Sequence, residues 1–207
     1  MAVKVLILSM NDRYHLLEEL GSKILDWLKE LGDVQTEFRH DKAILASGEL
    51  DTYDICILCT TMDDLTVEQE GGIVDFVEGG KNLFGIHSAT VINEERTRYI
   101  SLIGGRFTRH PPRHEFQVRI EDKDHPITSG IEDFKVTDEL YIMDRAPEGA
   151  HVLATALWEG EAHPLLYTKR MGKGKVLYNA LGHDQATYNH PIFRRLVIQG
   201  IQWMISG

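Results

Sequence analysis

Hydrophobic positions along the chain alternate between two periods, and that alternation dictates a fold class before any residue chemistry is considered. Residues 3–8 form an apolar run interrupted only by Lys4, the pattern of a strand covered on both faces. Leu17, Leu20, Ile24, Leu28 and Leu31 then recur at helical spacing, with Gly32 placed to end the helix in a left-handed cap. Residues 34–38 and 54–59 read as a second and a third strand. Thr66 and Gln69 have the capping-box spacing that starts a helix, Gly79 and Gly80 end it, and residues 81–86 supply a fourth strand. Strands and helices in this order predict right-handed βαβ units, hence an α/β protein with a largely parallel sheet between helical layers.

The pattern changes after Gly104. Segments 116–121, 134–140, 151–157, 164–168 and 175–180 read as strands with few helices between them, and the short connection at 171–174 suits a hairpin. Antiparallel strands are therefore expected to extend or edge the sheet in the C-terminal half. Ile192, Phe193, Leu196, Val197, Gly200, Ile201 and Met204 line one face of a last helix, with Asn189 or His190 as its cap and Pro191 in its first turn. No linker, internal repeat or low-complexity segment interrupts this order, so one domain over residues 1–207 is expected.

Composition narrows the function classes. A formal charge of −10 and a pI near 5.4 argue against nucleic acid, whose backbone requires clustered Lys and Arg. The sequence shows neither a leader pattern nor an apolar run long enough to span a bilayer, so a soluble cytoplasmic protein is expected. Cys56 and Cys59 lie inside an apolar strand three residues apart, on opposite faces, and are read as buried structural thiols.

The most informative segment runs from Lys81 to Thr90. A short buried strand stops at His87, which Gly85, Ser88 and Ala89 flank, an arrangement resembling a nucleophile elbow with an imidazole in place of Ser or Cys. An imidazole there takes or donates a proton or binds a metal, and is poorly suited to a stable acyl-enzyme. In an open α/β sheet the ligand crevice lies beyond the carboxyl ends of the strands. That rule selects Ser9 to Asp12, Thr60 to Asp64, His87 with Ser88, and the run Gly182, His183 and Asp184. His183, beside Asp184, is the partner that His87 needs for acid/base chemistry.

The loop at 103–114 carries two histidines and three arginines, which suit a clamp on a polar ligand, metal ligands or local salt bridges alike. Asp138 and Glu139 must point in opposite directions on a strand, and Glu139 is favoured as the one facing the pocket. His125 sits in turn chemistry and is assigned to structure. No zinc-motif spacing exists, so a metal has to be inferred from separated residues. His87, His110, Glu139 and His183 would suit zinc or a similar divalent ion if they converged, with Asp184 as an outer carboxylate. Asn11, Ser88, Arg106, His110, Tyr141 and Tyr188 are candidates for binding substrate. The stretch from Met171 to Lys175 lacks the spacing of a phosphate loop.

Several motifs together resemble the ThuA family. They are residues 85–90 (Gly-Ile-His-Ser-Ala-Thr), Gly104-Gly-x-Phe-x-x-His-Pro-Pro112, and His125-Pro-Ile-Thr-x-Gly-Ile131. Asp138-Glu-x-Tyr141, Gly172-Lys-Gly-Lys-Val-x-Tyr178 and Gly182-His-Asp184 extend the likeness over nearly the whole chain. The resemblance implies a link to trehalose and related disaccharide utilisation. It also implies a flavodoxin-like, three-layer α/β/α fold similar to class I glutamine amidotransferases. His87 then occupies the place of the amidotransferase Cys and His183 falls near the base, so glutamine hydrolysis through a thioester is not available. The expected function is an enzyme acting on a disaccharide or keto-sugar, by proton abstraction beside a carbonyl followed by glycosidic loss or isomerisation. His87 and His183 would be acid/base or metal-ligand groups, with Glu139 or Asp184 assisting. The contrasting expectation is a non-catalytic sugar-binding or regulatory module. In either case the partner is a small carbohydrate, with a homo-oligomer as a further expectation.

Overall fold

Four of the strands along the middle of the sheet are buried along nearly their whole length, which is what their unbroken apolar sequences require. The computed structural model describes residues 2–206. In chain order the elements are β1 (Val3–Ser9), α1 (Leu17–Lys29), β2 (Val34–Arg39), β3 (Ile55–Cys59), α2 (Val67–Glu78), β4 (Asn82–Ile86), α3 (Thr97–Ile103) and β5 (Phe107–Arg109). They continue with β6 (His114–Ile120), β7 (Phe134–Asp138), β8 (Ile142–Met143), β9 (His151–Trp158), β10 (Glu161–Met171), β11 (Gly174–Asn179), α4 (Gln185–Tyr188) and α5 (Pro191–Ile205).

One nine-stranded sheet has the order β2-β1-β3-β4-β11-β10-β9-β6-β7. The pairings from β2 through β11 are parallel. Those from β11 through β7 are antiparallel, so the C-terminal strands extend the sheet. The two halves differ in burial for a physical reason. The parallel strands are covered on both faces by helices, whereas β6 alternates buried and exposed positions because one of its faces meets solvent.

The helices follow the sequence signals with one correction. Thr66 and Gln69 form the reciprocal capping box of α2, and the His190 side chain accepts from Ile192 N at the start of α5, with Pro191 beside it. Helix α1 stops at Lys29, short of Leu31, and Gly32 (φ 81°) makes its left-handed turn outside the helix, where the chain reverses into β2. Two short strands, β5 and β8, pair in a separate ribbon inside what reads in the sequence as a loop and a strand end. Cys56 and Cys59 are buried free thiols in β3. Among the described residues no helix is long and apolar enough to cross a membrane.

Candidate functional site

The carboxyl ends of β1, β4, β11 and β7 converge, and each delivers one side chain to a common point. His15 comes from the β1–α1 connection, His87 from the end of β4, His183 from the turn after β11, and Glu139 from the residue after β7. One donor atom from each of the four lies within 4.8 Å of all the others. The three imidazole centroids form a near-equilateral triangle, 5.1 Å from His15 to His87, 5.0 Å from His15 to His183 and 5.5 Å from His87 to His183.

His87 reaches this point through a strained backbone. Its φ of 47° is left-handed, a conformation that costs a β-carbon residue about 1–3 kcal/mol and persists only where the surroundings enforce it. The enforcement is visible. His87 Nδ1 lies 2.7 Å from the Ala180 carbonyl, and the His87 carbonyl accepts from Tyr178 Oη at 2.8 Å and from Thr90 Oγ1 at 3.3 Å. At about 1 kcal/mol each, three such bonds offset the strain. The small residues around His87 have the same purpose, since a β-carbon on Gly85 would fall 2.6 Å from Ile103 Cδ1. On the facing side Gly182 (φ 131°) turns the chain from β11 towards His183.

The hydrogen bonds also set the tautomers. A carbonyl can only accept, so His87 Nδ1 carries the proton and Nε2 presents its lone pair to the cluster. Nε2 is buried, has no hydrogen-bond partner, and sits 3.5 Å from Glu139 Oε2. His15 Nδ1 lies 2.9 and 2.8 Å from the two oxygens of Asp12, which also accepts from the Tyr14 and His15 amides, so its Nε2 is likewise the acceptor. Burial, and then the neighbouring His87, lowers the His15 pKa against the pull of Asp12, so this ring is neutral near pH 7. His183 Nδ1 is 3.2 Å from Glu139 Oε2 but is not aligned for a hydrogen bond, and is a second buried nitrogen without a partner. Pairing with Glu139 raises the His183 pKa more than burial lowers it. For Glu139 burial pushes upward, yet His183 and His87 outweigh it and hold the carboxyl well below its usual range.

Asp138 builds the far side of the site. Strand β7 is four places from β11 in the sheet, but its last residue is fully buried against the turn that follows β11. Asp138 Oδ1 accepts from the amides of Glu139 at 2.8 Å and His183 at 3.2 Å. Its Oδ2 accepts from the Gly182 amide and from Thr187 Oγ1, both at 2.8 Å. One carboxylate thus ties together the two backbone segments that carry Glu139 and His183.

Above the cluster opens a cleft of about 1020 Å³, within the size range of small-molecule sites. Its walls include Asp12, Arg13, Tyr14, Thr61, Asp63 and Phe107, with His110 and Tyr141 beside Glu139. Tyr141 stacks on His87 at 4.1 Å and on Phe107 at 4.2 Å, an aromatic platform next to polar groups. His110 Nδ1 lies 2.8 Å from the Pro111 carbonyl and therefore carries its proton, leaving Nε2 as acceptor 3.4 Å from Glu139 Oε1.

The structure brings together only part of the set read from sequence. His87, His183 and Glu139 meet, and His110 and Tyr141 line the same cleft. His110 stands at the rim of the donor cluster, and its expected place among the ligands is taken by His15. Asp184 does not reach the cluster. It caps α4 by accepting from Ala186 N at 2.8 Å and pairs with Arg113 at 2.7 Å, so the outer carboxylate is Asp12 instead. Four of the expected substrate contacts have other occupations. Asn11 accepts from Glu18 N at the start of α1, Arg106 faces Glu94, Ser88 is fully buried beneath the elbow, and Tyr188 donates to the His183 carbonyl at 3.2 Å. The missed histidine had a local signal: Asp12 and His15, three residues apart just after the first strand, form an acid–imidazole pair at the crevice.

Solved structures share this architecture. A ThuA-like protein from Bacteroides uniformis superposes with a TM-score of 0.84 at 16% identity, covering 99% of this chain and 92% of the other. A ThuA-like protein from Parabacteroides merdae gives 0.84 at 18% identity, covering 100% and 91%. A GMP synthase-type protein from Thermoplasma acidophilum gives 0.59 at 15% identity, covering 98% and 96%, which places the fold among class I glutamine amidotransferase-like proteins. No curated protein matches the chain. The ThuA family model, described as trehalose utilisation, matches residues 4–204, and the chain belongs to the ThuA family.

Proposed function

We propose that this protein is a metal-dependent enzyme of carbohydrate metabolism that acts on a disaccharide or keto-sugar, with His15, His87, His183 and Glu139 holding one divalent cation. A single observation carries the reading: two buried imidazole nitrogens, His87 Nε2 and His183 Nδ1, have no partner and converge with a carboxylate and a third imidazole. Each unpaired buried polar atom costs about 1–3 kcal/mol, and a shared cation removes both penalties. Three nitrogen donors and one carboxylate suit zinc or a similar first-row ion. Asp12 on His15 and the Ala180 carbonyl on His87 are the outer partners that fix metal-binding tautomers.

Such a cation supplies Lewis acidity towards a substrate carbonyl or hydroxyl. The chain's own groups do the rest. Tyr141 and Phe107 offer aromatic faces to the CH surface of a sugar ring, and Arg13, Thr61 and Asp63 offer hydrogen bonds to its hydroxyls. His110 Nε2 faces the cleft beside Glu139 and takes the proton adjacent to the carbonyl, then returns it to the leaving oxygen or the neighbouring carbon. Two-carboxylate glycoside hydrolysis finds no support, because Asp12 and Glu139 are both committed to imidazoles and Asp63 is left alone in the cleft. Thioester chemistry finds none either, since both cysteines are buried in β3. The family's description as trehalose utilisation supports the substrate class.

The test is to strip the protein with chelator, reload it with zinc, manganese or cobalt, and incubate it with trehalose and with oxidised disaccharides while following products by mass spectrometry. Turnover is expected only in a metal-loaded form and is expected to vanish in His87→Ala. Binding without any product would make the protein a sugar-binding module instead.

A further inference from the structure

A second, smaller pocket of about 230 Å³ lies behind the main cleft, and the two share Tyr14 and His183 as walls. Nothing in the chemistry above uses it. At the liquid volume of water it holds roughly 8 molecules, the room of one sugar ring and not two. One side is apolar, formed by Leu16, Ala186 and Tyr188, and the other carries the oxygens of Glu19, Asp184 and Gln185. Glu19 and Gln185 are already held side by side by a 2.7 Å hydrogen bond, and Asp184 is fixed by capping α4. Lys and Arg are absent from its lining. A ring with apolar CH faces and several hydroxyl donors matches such a surface, whereas a phosphate or carboxylate would meet like charge.

We propose that this pocket is a second sugar subsite, taking the uncharged second ring of a disaccharide whose first ring lies over the histidine–glutamate cluster. The proposal rests on the carbohydrate reading above and adds the placement of the substrate. The linkage between the rings passes between Tyr14 and His183, beside one of the four cluster residues. Tyr14 is 64% exposed and Leu16 59%, large apolar side chains left uncovered at the mouth, and a ring in the pocket covers both.

Two variants test this without relying on turnover. Leu16→Trp fills the pocket from an exposed position, and Glu19→Ala removes one acceptor and the partner of Gln185. Affinities for trehalose and for glucose are measured by titration calorimetry on the zinc-loaded protein and both variants, with circular dichroism to verify folding. The unaltered protein is expected to bind trehalose at least tenfold more tightly than glucose, and each variant is expected to cut that ratio at least fivefold. An unchanged ratio in both folded variants, with both sugars still bound, overturns the subsite and leaves the carbohydrate reading standing. Failure of the unaltered zinc-loaded protein to bind either sugar overturns the carbohydrate reading itself.

Discussion

Replacing Asp138 with asparagine isolates the contact that joins two halves of the site. The wild-type carboxylate is fully buried and accepts four hydrogen bonds, three of them from the backbone amides of Glu139, Gly182 and His183. An asparagine amide has one acceptor oxygen and one donor nitrogen, so one end must face an N–H it cannot accept. The best orientation keeps the oxygen on Glu139 and His183 and turns the nitrogen towards Thr187, whose hydroxyl can rotate to accept it. Gly182 N–H is then stranded. Losing a hydrogen bond to a charged acceptor costs about 1.5–3 kcal/mol, and the buried unpaired amide a further 1–3 or so, giving about 3–5 kcal/mol in all. For a chain of this size that lowers Tm by roughly 6–20 °C. Because the displaced segments carry Glu139 and His183, zinc affinity is expected to fall about 10–100-fold. Thermal unfolding followed by circular dichroism in chelator, with zinc calorimetry on the folded protein, measures both effects. Thr187→Val is the control, since it removes only the hydroxyl and leaves all three backbone bonds. A stability loss under about 1 kcal/mol with unchanged zinc affinity would show that Asp138 does not organise the site.

Two other consequences follow from the same geometry. In metal-free protein, Glu139→Gln should destabilise most near pH 5.5 and least near pH 9. Glu139 is held below its usual 4.5, so its contribution is present above pH 4.5 and lost as pH falls through the folded value. His183 is raised above 6.5, so its contribution is full below pH 6.5 and lost as pH rises through the folded value. A Tm difference constant from pH 5 to pH 9 would contradict the pairing. Burial pushes the thiols of Cys56 and Cys59 well above their ordinary range. Neither should react with a thiol reagent in native buffer, and both should react after unfolding; rapid native labelling would show that β3 is not the buried strand described.

Much of the sheet was legible because its signals are local. The apolar runs of β1, β3 and β4 have both faces covered, and Thr66, Gln69, His190 and Pro191 mark helix starts through contacts within a few residues. Part of the site was legible for a similar reason, since a crevice at strand ends singles out His87 and His183 by position alone. The remainder depends on contacts across long stretches of chain. Asp138 and Glu139 are adjacent in sequence, and only the fold shows that one ties the β11 turn while the other faces the histidines. His15 sits beyond an irregular connection from β1 that Asp12 folds back on itself, so its reach could not be read from strand register. Asp184 illustrates the opposite error, because a carboxylate next to a functional histidine was better used as a helix cap.

Elemental analysis combined with zinc calorimetry on the purified protein, His15→Ala, His87→Ala and His110→Ala addresses the central proposal at its root. One divalent ion per chain is expected in the unaltered protein and in His110→Ala, with stoichiometric binding lost in His15→Ala and His87→Ala. Absence of stoichiometric binding in the unaltered protein, or loss on replacing His110 with retention on replacing His15, would contradict the four-residue centre.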